Sequence, residues 1–476
     1  MKRIAIIGGG ISGLSAAYTI DEKRRSGTPV EYVLFESSPR LGGVLVTDRV
    51  DGCLVEAGAD SFLTEKPWAS DLCGRIGLGD QLIGSNDAER KTYIVAKGKL
   101  VEIPDGLMFM VPTKIMPTVL SPLFSLRTKI RMAAEWFHPP RKASEDETVA
   151  EMVKRHYGAE MVEMLADPLL SGIYGGEATD LSVRAVLPRF ADMESKHGSL
   201  GRAILVGRKE ARKKTGASVN IPPRPLFTSL KDGMQQMVDA LVVRLDAKAL
   251  KKSSPVLSVI RQDNGWTICA GYKTDHFDAV IIATPTHAAA ALLDTADENL
   301  SRDLNEIQYS SSVTVTFGYD EKVRRSLPPG FGFLVPRSAG RRILAATFVH
   351  NKFPHRAPEN RALVRCFLGG ARDEQILLVS EKEIVDIVRD DLRQIVGVAL
   401  DAEPLFARVY KWKSAMAQYS VGHLERLQRI ESLRQKLPGL ALAGNGYKGI
   451  GVPDCVRSGA EAAGKILAEM GMWSAA

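Results

Sequence analysis

Ile4-Ala5-Ile6-Ile7-Gly8-Gly9-Gly10-Ile11-Ser12-Gly13 is a short apolar strand that runs straight into a glycine-rich turn. Leu14-Ser15-Ala16-Ala17-Tyr18 then opens a helix. Each spaced glycine has its own task in such a turn. Gly8 permits the tight reversal, Gly10 lets backbone approach a pyrophosphate, and Gly13 lets the helix pack close to the strand. The anion then rests on the N–H groups at the helix N-terminus, where Ile11 and Ser12 stand. A G-x-G-x-x-G by itself is a common turn. Here the second strand, Tyr32-Val33-Leu34-Phe35, ends in Glu36, a carboxylate placed to accept hydrogen bonds from ribose hydroxyls. Strand, turn, helix, strand and acid in that order predict a dinucleotide-binding unit.

The following residues bear on which dinucleotide. Arg40-Leu41-Gly42-Gly43 makes a cationic loop with open backbone, which a second approach to a diphosphate could use. Read alone it is equally an ordinary Gly-Gly turn with a surface arginine. Paired with the first motif, and followed by Glu56-Ala-Gly58-Ala59-Asp60-Ser-Phe62, it resembles the FAD proteins of the amine oxidase and glutathione reductase type more than NAD dehydrogenases.

Composition sets the outer limits. A chain of 476 residues can hold about three domains and a large core. Its 45% hydrophobic and 25% charged residues are those of an ordinary soluble globular protein. The five cysteines, Cys53, Cys73, Cys269, Cys366 and Cys455, are scattered, without a C-x-x-C or a metal-ligand spacing. That argues against a disulfide framework, suits a reducing cytoplasm, and leads us to expect no metal site. The chain enters its first strand directly, leaving no room for a signal peptide, and no run is apolar enough to span a bilayer. Net charge is +7. It reads either as a solvated basic surface or as attraction to an anionic ligand or membrane. Nucleic acid is not expected, because Lys and Arg are spread without aromatic interleaving.

No repeat or low-complexity segment interrupts the chain. From Leu107 to Leu126 it is apolar, but prolines at 112, 117 and 122 forbid one long helix, so this stretch is a cavity wall or a membrane-facing surface. Thr148 caps a helix with apolar residues at helical spacing as far as Leu165. Ser195 to Arg224 is polar and basic and reads as a mobile loop. Asp232-Gly233-Met234-Gln235 begins another helix, and Pro255 to Cys269 alternates around an Asn264-Gly265 hairpin turn. Phe277 to Pro285 is a fully apolar strand of the parallel sheet, so the nucleotide domain is rebuilt from distant segments. Val313 to Tyr319 reads as part of a separate antiparallel sheet.

The chain returns to the first domain at Leu440-Ala-Leu-Ala-Gly444-Asn445-Gly-Tyr447-Lys-Gly-Ile-Gly451-Val452-Pro453-Asp454-Cys455, with a helix from Val456 to about Met470. A strand, a glycine loop and a fresh helix N-terminus again favour negative charge, such as that on the N1/C2=O edge of a reduced flavin. This pattern resembles the flavin-dependent protoporphyrinogen and coproporphyrinogen oxidases of haem synthesis. The likeness extends through Glu56 to Leu63, Val111-Pro-Thr-Lys114, Asp167 to Gly176, Phe353-Pro354 and Met416 to His423. The Ser-Gly-Ile-Tyr-Gly-Gly run is especially like the soluble bacterial branch. Ala59 and Ala417 stand where proline is frequent, and Asp60 where relatives can carry Asn.

The resemblance implies an α/β fold in three domains. A Rossmann-like FAD domain takes residues 1–75, 225–300 and 435–476. A substrate domain on an antiparallel sheet takes 76–90 and 301–434, and a helical domain that can touch membrane takes 91–224. It implies non-covalent FAD, a porphyrinogen as substrate, dioxygen as acceptor and hydrogen peroxide as product. Hydride passes to flavin N5, so a dry, well-oriented pocket matters more than a strong base. No acid/base pair or nucleophile motif is present, and no side chain is assigned as catalytic. A cytoplasmic enzyme touching the inner membrane face is implied; a homodimer is left open.

Among the flavin contacts the resemblance counts Gly58, Ala59, Asp60 and Val256. It adds Gly444, Gly451, Val452 and Pro453 from the C-terminal loop. Trp412 is either near the flavin or a packing residue. Lys66 corresponds to a cation that meets a substrate propionate, although as bare sequence it is a surface lysine. Gly172 and Tyr174 correspond to a segment against a pyrrole, and Leu334 and Phe353 to apolar residues that sandwich the macrocycle. His287 and His423 read as structural histidines. The rivals are an amine oxidase, a carotene-type desaturase, or a non-enzymatic carrier on the same fold. Tyr447 has no second aromatic beside it to form an amine oxidase cage, Cys455 lacks the context of a covalent flavin cysteine, and intact motifs at both ends of the cofactor disfavour a carrier.

Overall fold

The computed structural model describes residues 1–108, 110–141, 145–215, 224–397 and 400–473. They form two compact units. The first comprises residues 1–85, 225–308 and 424 onward, and the second residues 86–224 and 309–423.

The first unit is organised on β1 (Lys2–Ile7), α1 (Ile11–Arg25) and β2 (Val30–Phe35). Ile4, Ala5 and Ile6 are fully buried, the unbroken apolar run that a parallel strand covered on both faces requires. The sheet has five strands in the order Leu250–Lys251, β2, β1, Ala279–Ile282, Leu440–Leu442, all parallel. The strands expected at 277–285 and 440 thus join the N-terminal strand across hundreds of residues, with Ile4 opposite Ala279 and Val280 opposite Leu440. Leu14, Ala17, Val456, Ala463 and Leu467 pack in one core with β1 and β2. The hairpin at Asn264-Gly265 forms as expected, between Val256–Gln262 and Gly265–Ala270. A smaller sheet joins Phe62–Leu63, Phe227–Leu230 and Leu82–Gly84, so residues 76–85 fall in the first unit.

The second unit contains a seven-stranded sheet in the order Phe406–Ala417, Tyr309–Asp320, Arg361–Gly369, Ala345–Phe348, Gly332–Leu334, Thr92–Ala96, Lys99–Glu102. Its pairs are antiparallel apart from Gly332–Leu334 with Thr92–Ala96. Helix Glu381–Val396 lays Ile384, Val388, Leu392 and Ile395 into the core formed by Val313, Val315 and Phe317. The helical segment between residues 115 and 215 belongs to the same unit.

Three sequence readings need correction. The helix capped by Thr148 has a full capping box with Glu151, but it ends at His156 because Gly158 turns left-handed at φ 96°. A short helix and a π-helical turn, Val162–Ala166, then lead into helix Asp167–Tyr174, which ends on left-handed Gly175. The stretch read as a loop from Ser195 is helical as far as Thr215, in Pro188–His197 and Leu200–Thr215. Leu200, Ala203 and Ile204 are buried at helical spacing, and the buried Glu135 carboxylate accepts from the amides of Leu200 and Gly201 at the helix start. Residues 216–223 of that stretch lie outside the described residues. Finally, the C-terminal helix spans Val452–Glu469, starting four residues early because Pro453 suits a first helical turn.

Candidate flavin and substrate sites

The glycines of the first turn differ in what surrounds them. Gly8 has φ 107°, and a β-carbon there would lie 2.7 Å from the Ala283 carbonyl oxygen. One on Gly13 would lie 1.9 Å from the Gly8 oxygen, so α1 sits as close to the turn as backbone allows. A β-carbon on Gly10 meets no atom within 4 Å. The turn is therefore open on one side only. Gly10 caps α1 without any side-chain hydrogen bond, and the first turn of α1 carries no acid. The N–H groups and positive dipole end at Ile11, Ser12 and Gly13 are thus available to an anion, which fits a dinucleotide pyrophosphate.

Glu36 and the Arg40 loop close around this turn. Glu36 Oε2 accepts from the Gly9 amide at 2.7 Å, and Oε1 from the Ser38 amide at 2.7 Å. A carboxylate has about four acceptor positions, so ribose hydroxyls can still be bound. Gly42 donates its amide to the Gly9 carbonyl at 2.8 Å, and a β-carbon on Gly43 would lie 3.3 Å from Gly10 Cα. The Arg40 guanidinium folds back onto the carbonyls of Leu41 and Gly43. A β-carbon on Gly58 would meet the Val44 oxygen at 2.0 Å. Ala59 packs against the first core, and Asp60 accepts from Ser61 Oγ through its side chain and from Ser229 Oγ through its carbonyl. The amides of Ser253 and Ser254 donate to the carbonyls of Ser38 and Glu36, which brings Val256 near the end of β2.

The C-terminal loop leads into a second helix N-terminus in the same unit, whose first turn carries the buried acid Asp454. Gly444, at φ 134°, donates its amide to Ser458 Oγ at 3.1 Å. Gly451 caps helix Val452–Glu469 without a side-chain bond, and Val452 and Pro453 are buried behind it. This helix crosses α1 at very close range. A β-carbon on Gly459 would lie 2.0 Å from the Ser12 oxygen, and Ser15 Oγ donates to the Val456 carbonyl at 2.8 Å. Sequence reading missed Gly459 and Ser458. The available signal was a glycine inside an apolar helical pattern, which marks a close backbone approach. The two helices are thus held together by one close backbone approach and one side-chain hydrogen bond. Cys455 is buried here, and burial pushes its thiol up to about 12.

The residues matched to substrate contacts fall in both units. Lys66, in the first, places Nζ 2.6 Å from Asp454 Oδ2. The others are in the second unit. Gly172 and Tyr174 lie on helix Asp167–Tyr174, and a β-carbon on Gly172 would stand 3.8 Å from Leu334 Cδ2. Gln418 Nε2 donates to the Tyr174 carbonyl at 2.8 Å, holding that helix end. Phe353 is fully buried at the end of the short helix Val349–Lys352. Trp412 lies on strand Phe406–Ala417, opposite Ser312. His423 is buried and its ring stacks on Tyr419 at 4.1 Å.

Comparison with known proteins matches residues 11–467 to the model of the flavin containing amine oxidoreductases. The chain is 34% identical to a coproporphyrinogen III oxidase of Bacillus subtilis over 477 residues, covering 98% of each. It is 28% identical to protoporphyrinogen oxidase 2 of Arabidopsis thaliana, covering 98% of this chain and 94% of the other. A crystal structure from Exiguobacterium, of a protein proposed to be a protoporphyrinogen oxidase, superposes with a TM-score of 0.87 at 30% identity over 99% of both chains. This chain belongs to the flavin containing amine oxidoreductase family, and its cofactor is accordingly a flavin.

Proposed function

We propose that this protein binds FAD non-covalently and oxidises a porphyrinogen to the porphyrin in haem biosynthesis. The observation that carries the reading is the uncapped, acid-free N-terminus of α1 at Ile11–Gly13, together with the N-terminus of helix Val452–Glu469, whose body packs on α1 at the Ser12–Gly459 crossing. One supports a pyrophosphate and the other the negative edge of a reduced ring. Glu36 adds the ribose acceptor, which favours a dinucleotide flavin over a mononucleotide. Buried Cys455, with its thiol proton held, supports non-covalent attachment.

A bound flavin supplies hydride acceptance from the substrate and reoxidation by dioxygen. The residues of this chain bind and orient. The exposed Gly172, beside Leu334, leaves room for a flat macrocycle against helix Asp167–Tyr174, where a larger side chain would intrude. Loss of six hydrogens from a porphyrinogen corresponds to three two-electron cycles, each reducing one dioxygen to hydrogen peroxide. The higher identity to the Bacillus protein and the net charge of +7 favour coproporphyrinogen III, with its four propionates.

Peripheral membrane contact belongs to the same reading. Among the described residues no helix is long and apolar enough to cross a membrane. The second unit nevertheless exposes Met116, Leu120, Leu126, Ile130 and Phe137, with the exposed cations Arg127 and Arg131. Apolar residues beside cations suit the interface of an anionic bilayer. Purified holoprotein should be yellow and should bleach anaerobically on addition of coproporphyrinogen III. A yellow protein that stays oxidised with every porphyrinogen would refute the proposed reaction while leaving the flavin site standing.

A further inference from the structure

Asp454 is the acid of the first turn of helix Val452–Glu469, and its side chain is only 4% exposed. Such an acid offsets the positive end of its own helix. Helix α1, at the pyrophosphate, has no acid in its first turn. Lys66 answers the difference: its Nζ lies 2.6 Å from Asp454 Oδ2, with its own side chain one-third exposed. Arg457 Nη2 stands 3.5 Å from the other carboxylate oxygen, and its guanidinium is held over the Trp68 ring at 4.2 Å. One buried carboxylate is therefore flanked by two cations from different parts of the chain.

We propose that Lys66 is a positioning residue for the flavin's electrostatics, acting through Asp454. The inference rests on the reading that the flavin ring lies at the N-terminus of this helix. With Lys66 in place the Asp454 charge is offset at 2.6 Å, and the helix end stabilises the negative charge of the reduced ring. Without it, Asp454 keeps Arg457, which stands farther away at 3.5 Å and is shared with Glu461. Lys66 thus raises the flavin's reduction potential, a role separate from gripping a substrate carboxylate.

The test is the midpoint potential of flavin-loaded protein, measured by equilibrium reduction against a reference dye without substrate. Lys66→Met should weaken two-electron reduction about tenfold, which corresponds to a fall of about 30 mV. Asp454→Asn should shift the potential upward, and Lys66→Met/Asp454→Asn should lie near wild type. If Lys66→Met fails to fold, Asp454→Asn alone reads the same coupling from the other partner. An unchanged potential in Lys66→Met, with a raised KM for coproporphyrinogen, would overturn the inference and make Lys66 a substrate contact. Wild-type protein unable to hold flavin would overturn the placement of the ring, and this inference with it.

Discussion

Glu36 Oε2 accepts a hydrogen bond from the Gly9 amide at 2.7 Å, tying the acid that ends β2 to the turn that starts α1. The proposed ribose acceptor and the proposed pyrophosphate cradle are thus set relative to each other by the protein. Glu36→Ala removes the partner of the Gly9 amide and, in the proposed function, the ribose acceptor as well. Flavin occupancy should fall, and the apoprotein should lose about 1–2 kcal/mol, since a half-buried charged hydrogen bond contributes less than a fully buried one. Glu36→Gln keeps one acceptor oxygen and should recover part of each. The ratio of flavin to protein absorbance and a urea titration of apoprotein measure the two effects.

Gly10 separates flavin binding from folding, whereas Gly459 couples them. A β-carbon on Gly10 meets no atom within 4 Å. Gly10→Val should therefore leave apoprotein stability within about 1 kcal/mol of wild type, yet abolish flavin retention. A methyl on Gly459 would lie 2.0 Å from the Ser12 oxygen, where backbone has to move. Gly459→Ala should cost about 1–3 kcal/mol and weaken flavin binding as well. Recovery of full yellow protein from Gly10→Val would remove the pyrophosphate from this turn.

Much of the first unit was legible because its signals are local. The apolar runs at Ile4–Ile7 and Ala279–Ile282 and the turn glycines state their requirements in a few residues. The Lys66–Asp454 pair was not legible, since the partners are 388 residues apart and each reads separately as a surface or capping residue. The helix at Leu200–Thr215 was hidden by its basic exposed face, because its start is capped by Glu135, sixty-five residues earlier in the chain. Periodicity beyond His156 misled because one left-handed glycine, Gly158, outweighs apolar spacing.

Buried His156 predicts a pH dependence of stability. Its Nδ1 lies 3.1 Å from Glu135 Oε1 and its Nε2 3.0 Å from Glu194 Oε1. Arg155 also binds Glu194, while His138 stacks on the imidazole and Tyr157 packs beside it. Burial alone would depress the imidazolium, but hydrogen bonds to the two carboxylates outweigh it and raise the pKa. Burial likewise opposes Glu194, whose bonds to His156 and Arg155 bring it down to about 2. The raised histidine stabilises fully below its ordinary value of 6.5, and the gain is lost as pH rises through the higher folded value. The lowered glutamate stabilises above its ordinary value of 4.5, and that gain is lost as pH falls toward 2. His156→Gln should cost about 2–3 kcal/mol at pH 6, the loss of charged hydrogen bonds rather than of every partner, because Arg155 still binds Glu194 and the amides of Leu200 and Gly201 still bind Glu135. Melting temperatures from pH 5 to 9 should show a smaller alkaline decline in this variant than in wild type. Equal declines would contradict an imidazolium between the two acids.

Leu126→Asp with Ile130→Asp should abolish sedimentation with anionic phospholipid vesicles and leave flavin content unchanged. Raised salt should weaken the wild-type association, because the exposed Arg127 and Arg131 contribute through screened charge. Vesicle binding that is indifferent to both changes would place the contact elsewhere on the protein.

Oxygen stoichiometry with coproporphyrinogen III is the most direct measurement of the proposed function. Holoprotein in air should consume three dioxygen molecules and release three of hydrogen peroxide for each coproporphyrin formed, at a higher kcat/KM than with protoporphyrinogen IX. Porphyrin appearing no faster than in protein-free buffer, from protein that is yellow and fully loaded with flavin, would contradict it.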